Sequence, residues 1–327
     1  MGLSKVTDQT ELIRPNLGVP VAAINGDFYQ RDGSFAGDPR GLQIVEGELI
    51  SAPSGTWSCW IDASGEPHTG ITSSRFEITW PDGSASRFDL NANRSPNGIV
   101  LYTPAIGAST RTAGGTEIIL EQQAPSDWLP LQPNKTYRAK VREIREGGDS
   151  PIPPETVVLS LGPQLARRRP SLEAGAEISI STATQPNLRD AKTALSGGPA
   201  LVQNGRRQRI QPGDFHSYSS SSMKERHPRS AIGWNADYYF LVEVDGRQRA
   251  LSVGMTLDEL AAYMIQLGCQ EAMNLDGGGS ATIWFDGKLR NRPCDGMERS
   301  IANSLIVIKK EAPEMPSAPT AAASPKQ

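Results

Sequence analysis

The sequence predicts an α+β fold: a β-rich mixed core with few helices and an inserted β-rich subdomain. Three observations lead there. Short apolar or alternating runs recur along most of the chain, and 32 Gly with 25 Pro supply turns between them. A single stretch has convincing helical spacing, from Thr256 to Leu267. Between about residues 70 and 180 short strands and turns alternate, while the glycine-bearing polar turns lie on either side. That distribution describes a subdomain inserted between two halves of one functional core.

Taken in order, residues 21–24 form a buried-strand pattern that ends in Asn25-Gly26-Asp27. Residues 42–45 and 48–50 bracket a Glu46-Gly47 turn. Further strands are expected at 76–80, 98–102, 156–160 and 178–180, with a short helix near 163–167. Strands at 230–233 and 238–244 follow, the second ending in an Asp245-Gly246 turn. Thr256-Leu257-Asp258-Glu259 is a capping box, a hydroxyl at the N-cap answered by Glu three residues later. Leu257, Leu260, Ala261, Met264 and Leu267 then keep helical intervals up to Gly268, where a helix stops. A short apolar stretch at 272–275 leads through Asp276-Gly277-Gly278-Gly279-Ser280 into a strand at 282–285, and Asp286-Gly287 signals a hairpin. A last strand is expected at 304–308. The organisation is a poorly defined segment 1–18, one domain over 19–310 with 70–180 inserted, and a Pro/Ala/Ser-rich tail at 311–327 expected to be disordered.

Composition removes several classes of function. Lys+Arg 33 against Asp+Glu 36 leaves a net charge of −3, so no overall field favours nucleic acid or an anionic membrane. The run Arg167-Arg168-Arg169 reads as a solvated loop. No apolar stretch is long enough to span a bilayer. Residues 1–20 lack the apolar core of a signal peptide, so the chain is either cytoplasmic or had its export signal removed or encoded elsewhere. Cys59, Cys269 and Cys294 are widely spaced, and His68, His216 and His227 are too scattered for a zinc site. No Gly-x-Ser-x-Gly elbow is present for a serine hydrolase.

The glycine turn carries the most chemistry. Three glycines bury no side chain, and glycine suits positions where backbone takes positive φ or approaches a ligand closely. Their N–H groups can converge on an anion. A strand rather than a helix follows the turn, which excludes a phosphate loop and a dinucleotide fingerprint. Asn25-Gly26-Asp27 at a strand end reads equally as a hairpin turn or as site residues. His227-Pro228-Arg229-Ser230 places an arginine whose planar fork suits phosphate or carboxylate, though a surface ion pair is its commoner fate. Asp295, Glu298, Arg299 and Asn303 lie on a loop before the last strand.

Together these segments resemble the phosphodiester glycosidase family. The matching stretches are Ala22-Ala23-Ile24-Asn25-Gly26-Asp27-Phe28, Gly197-Gly198-Pro199-Ala200-Leu201-Val202, His227 to Gly233, Thr256 to Ala261, Asn274 to Thr282, and Asp295-Gly296 with Arg299. Their order is the family's. Ser230 stands where Thr is usual, and Cys294 where Ser is usual. The resemblance implies an exported hydrolase that separates a sugar from a phosphodiester at the glycosyl C–O bond, N-acetylglucosamine being the best-known sugar.

On that reading Asp276, then Asp27, would activate water or attack the anomeric carbon. Arg229 and the N–H groups of Gly277, Gly278, Gly279 and Ser280 would clamp the departing phosphate, with Arg299 as a second cation and Asp295 beside it. Asn25 and Asn274 would orient sugar hydroxyls. The partner is a carbohydrate phosphodiester. No cofactor is required by this chemistry, although a divalent cation such as calcium is admitted. The competing readings are a metal-dependent phosphodiesterase, with Asp27, Asp276 and Asp295 as ligands to a hard cation, and a glycan-binding module without turnover.

Overall fold

The structure is a computed structural model that describes residues 1–123, 128–165, 172–210 and 223–310. The 311–327 tail, the triple arginine and His216 lie outside the described residues, as does part of the helix expected near 163–167, whose first three residues form a turn. Among the described residues the strands make three sheets of twelve, five and four strands. The fold is α+β and β-rich, and the expectation of few helices holds.

The largest sheet runs from Glu48–Ser51 through Gln43–Val45, Ala191–Ser196, Ser54–Asp62, Pro67–Thr79 and Glu177–Gln185. It continues through Thr136–Glu146, Thr116–Gln122, Val157–Leu161 and Ile99–Tyr102 to Asp89–Leu90. Residues alternate between buried and open along Thr136–Glu146 and Glu177–Gln185, so one face turns inward. That face contributes Phe76, Ile78, Tyr137, Val141, Ile178 and Ile180 to a single core. The sheet curls until it is nearly a closed barrel. Where its two edges meet, Asn91 Nδ2 donates to the Ile50 carbonyl at 2.9 Å and Asn91 Oδ1 accepts the Thr103 N–H at 2.8 Å. Closure leaves little free edge for unwanted pairing. The stretch 70–180 is therefore not a sheet by itself; its strands join those of 43–62 and 191–196.

The five-stranded sheet has the order Arg206–Arg207, Ala200–Gln203, Glu271–Asn274, Arg229–Trp234, Tyr239–Val244. The Leu257–Gln266 helix covers one face, burying Leu257, Leu260, Ala261 and Met264 against Leu201, Val202, Ala231 and Ala272. Both halves of its capping box form: the Glu259 N–H donates to Thr256 Oγ1 at 3.1 Å, and the Thr256 N–H to Glu259 Oε2 at 2.9 Å. Such a cap stabilises a helix start by about 1 kcal/mol.

The four-stranded sheet has the order Lys288–Leu289, Ile283–Phe285, Val19–Asn25, Ser304–Lys309. Its hairpin turns at Asp286-Gly287 with φ of 49° and 77°, the positive pair that a two-residue loop demands. A short helix, Val6–Glu11, lies in the segment that showed no pattern in the sequence; it seats Val6 against Ala23, Trp284 and Ile301. Ile24, Cys59, Leu195, Ile232, Met273 and Leu275, drawn from all three sheets and the segment after Glu271–Asn274, form the apolar joint on which the polar site is built.

Candidate active site

Two chain segments leave this joint side by side. The Val19–Asn25 strand runs into Gly26-Asp27, and the Glu271–Asn274 strand runs into Leu275-Asp276. The Asp276 N–H donates to the Gly26 carbonyl at 3.0 Å. Asn25 Nδ2 donates to the Asp276 carbonyl at 2.6 Å, while Asn25 Oδ1 accepts from the Ser230 hydroxyl at 2.6 Å and from the Thr282 N–H at 3.1 Å. Asn303, on the chain entering the last strand, accepts the Gly26 N–H through its carbonyl and the Asp27 N–H through Oδ1, both at 2.9 Å. Glycine is needed at position 26, because a Cβ there would collide with the Asn303 amide oxygen.

These bonds bring two buried carboxyl groups within electrostatic reach of each other. Asp27 is 4% exposed, and its oxygens accept the N–H groups of Phe28 at 2.7 Å and Gly41 at 3.0 Å. Burial pushes Asp27 up to about 8; the neighbouring Asp276 charge adds to the rise, and the two N–H donors oppose it. Asp276 is also raised, chiefly by burial, against which the Gly277 N–H at 2.9 Å and the Arg31 and Arg299 charges work. The Arg31 and Arg299 charges oppose the rise at Asp276, and the Arg40 charge opposes it at Asp27.

Asp276 opens into a cavity of about 470 Å³ lined by five arginines: Arg31, Arg40, Arg229, Arg247 and Arg299. Arg229 is nearly fully buried and aligned by donating to the carbonyls of Met255 at 2.9 Å and Glu225 at 3.0 Å. Arg299 is braced by an ion pair with Asp295. Burial works against ionisation of Asp295, yet this hydrogen bond and charge hold its carboxyl below the usual range. Arg247, itself in the left-handed region at φ 58°, donates from Nε to His227 Nδ1 at 3.3 Å. Burial, then the Arg247 and Arg229 charges, lower the His227 pKa and favour the neutral ring that accepts this bond.

The glycines explain how so many guanidinium groups fit. A Cβ on Gly279 would strike the Arg299 guanidinium and the Asp295 carboxylate; one on Gly277 would come within 2.6 Å of the Pro228 carbonyl. At Gly278, whose φ is +62°, it would stand 3.1 Å from Arg247. The turn itself is a compact 3-10 turn, Gly278–Ser280. The N–H groups of Gly277, Gly278 and Ser280 are taken by Asp276 Oδ1, the Pro228 carbonyl and the Gly277 carbonyl. Of the four N–H groups expected to face an anion, Gly279's is the one with no protein acceptor among the described residues.

Among the residues singled out in the sequence, Asp276, Arg229, Gly277, Gly278, Gly279 and Arg299 line this cavity. Asn25, Asn274 and Ser280 lie behind it, at most 1% exposed, with Asn274 Nδ2 donating to the Gly198 and Leu275 carbonyls. Asp295 sits outside the lining and reaches the site through Arg299. Among the described residues no group of three or more His, Cys, Asp or Glu side chains is placed to hold a metal ion. Asp295 pairs with Arg299 rather than lining the cavity beside Asp276.

Sequence reading missed Arg31, Arg40 and Arg247. The first two sit on residues 28–41, a short hairpin in which Gln30 N–H bonds the Asp38 carbonyl at 2.9 Å and Arg40 N–H the Phe28 carbonyl at 2.8 Å. A signal was present: two arginines in a Gly/Asp/Pro-rich stretch directly after Asn-Gly-Asp. Behind this hairpin lies a second cavity of about 360 Å³, which shares Phe28 and Arg40 with the first and is lined by Asp27.

The site of this β-rich α+β scaffold is thus a carboxyl group, Asp276, opening into an arginine-lined cavity, with the buried Asp27 carboxyl on the wall of the adjoining one. The chain belongs to the phosphodiester glycosidase family, whose model matches residues 136–308, more than half of its 327 residues. Arg229, the glycine turn and Arg299 fall inside the match, and Asn25 and Asp27 precede it. An SPbeta prophage-derived uncharacterized protein, YomE of Bacillus subtilis strain 168, is 30% identical over 136 residues, 41% of this chain and 19% of that protein, so the match spans about a fifth of the relative's length.

Two solved structures share the fold. A hypothetical protein from Synechocystis superposes with a TM-score of 0.71 at 23% identity, covering 93% of this chain and 53% of its own. A putative exported protein from Burkholderia pseudomallei K96243 gives 0.68 at 21% identity, covering 94% and 68%. No helix among the described residues is long and apolar enough to cross a membrane.

Proposed function

We propose that the protein hydrolyses a sugar-1-phosphodiester at the glycosyl C–O bond, giving free sugar and a phosphomonoester. The observation that carries this reading is Asp276, at once a member of a buried acid pair and the carboxylate that lines a cavity of five arginines. A phosphate monoester has a second pKa of about 6 and leaves readily, so the reaction needs a clamp for the departing anion more than a strong acid. Arg229, Arg247 and Arg299 supply that clamp.

In the simplest course Asp276 takes a proton from water while the water oxygen bonds to the anomeric carbon. The C–O bond to phosphate breaks, and its electron pair leaves with the phosphomonoester. Direct attack by Asp276, followed by hydrolysis of the glycosyl ester, uses the same residues. Asp27, raised to about 8 by burial, limits the negative charge that stands near Asp276. Asn25 and Asn274 act from behind the cavity as positioning residues, holding the Asp276 backbone and the strand that carries it.

Hydrolysis in heavy-oxygen water tests the reading. Label is expected in the sugar. Label in the phosphate would mean P–O cleavage and would transfer the activity to the phosphodiesterase class.

A further inference from the structure

Arg247 enters the cavity from a loop that closes around His227. Both ends of that loop are glycines. A Cβ on Gly246 would lie 2.6 Å from the Pro228 nitrogen and 2.9 Å from the His227 carbonyl carbon, and one on Gly254 would strike the His227 carbonyl oxygen. The His227 and Met255 backbones exchange hydrogen bonds in both directions, at 3.2 and 3.0 Å. Within the loop Arg247 takes a φ of 58°, a left-handed conformation that a non-glycine residue keeps where its surroundings impose it.

The Arg247 side chain is held at one nitrogen and presents two others. Its Nε donates to His227 Nδ1 at 3.3 Å, while Nη1 and Nη2 stand 3.1 and 3.2 Å from the place of a Cβ on Gly278, over the glycine turn. A guanidinium N–H is always a donor, so His227 Nδ1 has to present a lone pair. In the neutral ring the proton is then on Nε2, which stands 3.5 Å from Glu225 Oε2. Burial and the Arg247 and Arg229 charges favour that neutral ring, and the Glu225 charge opposes them. Arg229 is aligned by carbonyl groups and Arg299 by Asp295; at Arg247 an imidazole takes that place.

We propose that His227 is a positioning residue: as the neutral Nε2–H tautomer it holds Arg247 by its Nε, with both Nη groups over the glycine turn to meet the phosphate. The proposal rests on the glycosidase reading only for the identity of the anion.

A double-mutant cycle on the full chain tests it, read by calorimetric titration of sulfate and by hydrolysis of a sugar-1-phosphodiester. His227→Ala and Arg247→Ala should each weaken sulfate binding about tenfold, and the double variant should be no weaker than either alone. With the diester the loss should fall on KM more than on kcat. His227→Asn, whose Oδ1 can stand in for Nδ1 as the acceptor, should keep most of the affinity. His227→Gln, which places no acceptor there, replaces the alanine variant if that one does not fold.

Nitrogen NMR of the imidazole rings reads the tautomer directly. The chain has 3 histidines, and His227→Asn identifies the signal of interest. Its Nε2 should carry the proton, and its titration should lie below the ordinary 6.5 and move up in Arg247→Ala. The proposal is overturned if the two losses add in the double variant, if His227→Asn binds sulfate as weakly as His227→Ala, or if Nδ1 carries the proton. The two readings fail separately. Non-additive sulfate binding without hydrolysis of any diester removes the glycosidase reading alone; hydrolysis with additive losses removes the positioning role alone.

Discussion

Two buried carboxyl sites in this molecule have opposite fates. Glu117, inside the large curled sheet, is fully buried yet receives the hydroxyls of Thr110 and Thr112 at 2.7 Å, that of Ser160 at 2.9 Å and the Ser150 N–H at 2.7 Å. Burial alone would raise it, but these donors hold it below the ordinary glutamate value. Asp27 and Asp276, at the junction of the two smaller sheets, receive fewer donors and are raised, Asp27 in part by the Asp276 charge. Burial is common to both regions, so the number of donors and the sign of the neighbours decide the outcome. One carboxylate is spent on holding loops, and the other two keep capacity for an outside molecule.

The largest expected effect separates the regions by activity. Asp276→Asn should lower turnover by about 10²–10⁴-fold with a nearly unchanged melting temperature, as loss of a catalytic base does. A variant that turns over near normally would end the assignment. Glu117→Gln should do the reverse. It leaves one or more of the four donors facing an N–H₂ group, and should cost about 3 kcal/mol in denaturant unfolding while turnover per folded molecule is unchanged. Arg247→Ala should raise KM for a diester about 10–100-fold, the worth of a charged hydrogen bond, with a smaller change in kcat.

The subtlest test sharpens the contrast through pH. Asp27 is raised from 3.8 to about 8, so its contribution to stability is full below about pH 3.8 and is lost as pH rises toward 8. Glu117 is depressed from 4.5, so its contribution is full above pH 4.5 and lost as pH falls below it. Melting curves should therefore show Asp27→Asn gaining on the parent between pH 4 and 8. Glu117→Gln should gain on the parent only in the acid range. Parallel curves for both variants would remove the distinction.

How much of this was legible in the sequence follows from the range of each interaction. The 257–266 helix was readable because its capping box and apolar spacing are local, and the Asp286-Gly287 hairpin because its turn chemistry is. The glycine turn was readable as a close approach, but what approaches was not. Arg247 and Arg299 come from 30 residues before and 20 after it, and a lone arginine in a loop looks like any solvated one. The curl of the large sheet depends on strand order, with Ala191–Ser196 lying between Gln43–Val45 and Ser54–Asp62, and no local pattern encodes that pairing. Asp38 carries no motif at all; only the fold reveals a carboxyl group without donors.

The Asn25 amide joins the end of one small sheet to Ser230 in the other, to Thr282 beyond the glycine turn and to the carbonyl of Asp276. The acid pair consequently exists only once both sheets have docked. A half-folded chain would present neither the raised carboxyl groups nor the arginine cavity. Recovery of activity during refolding should then coincide with the last global step, making the active site a reporter on completion of the whole fold rather than on any part of it.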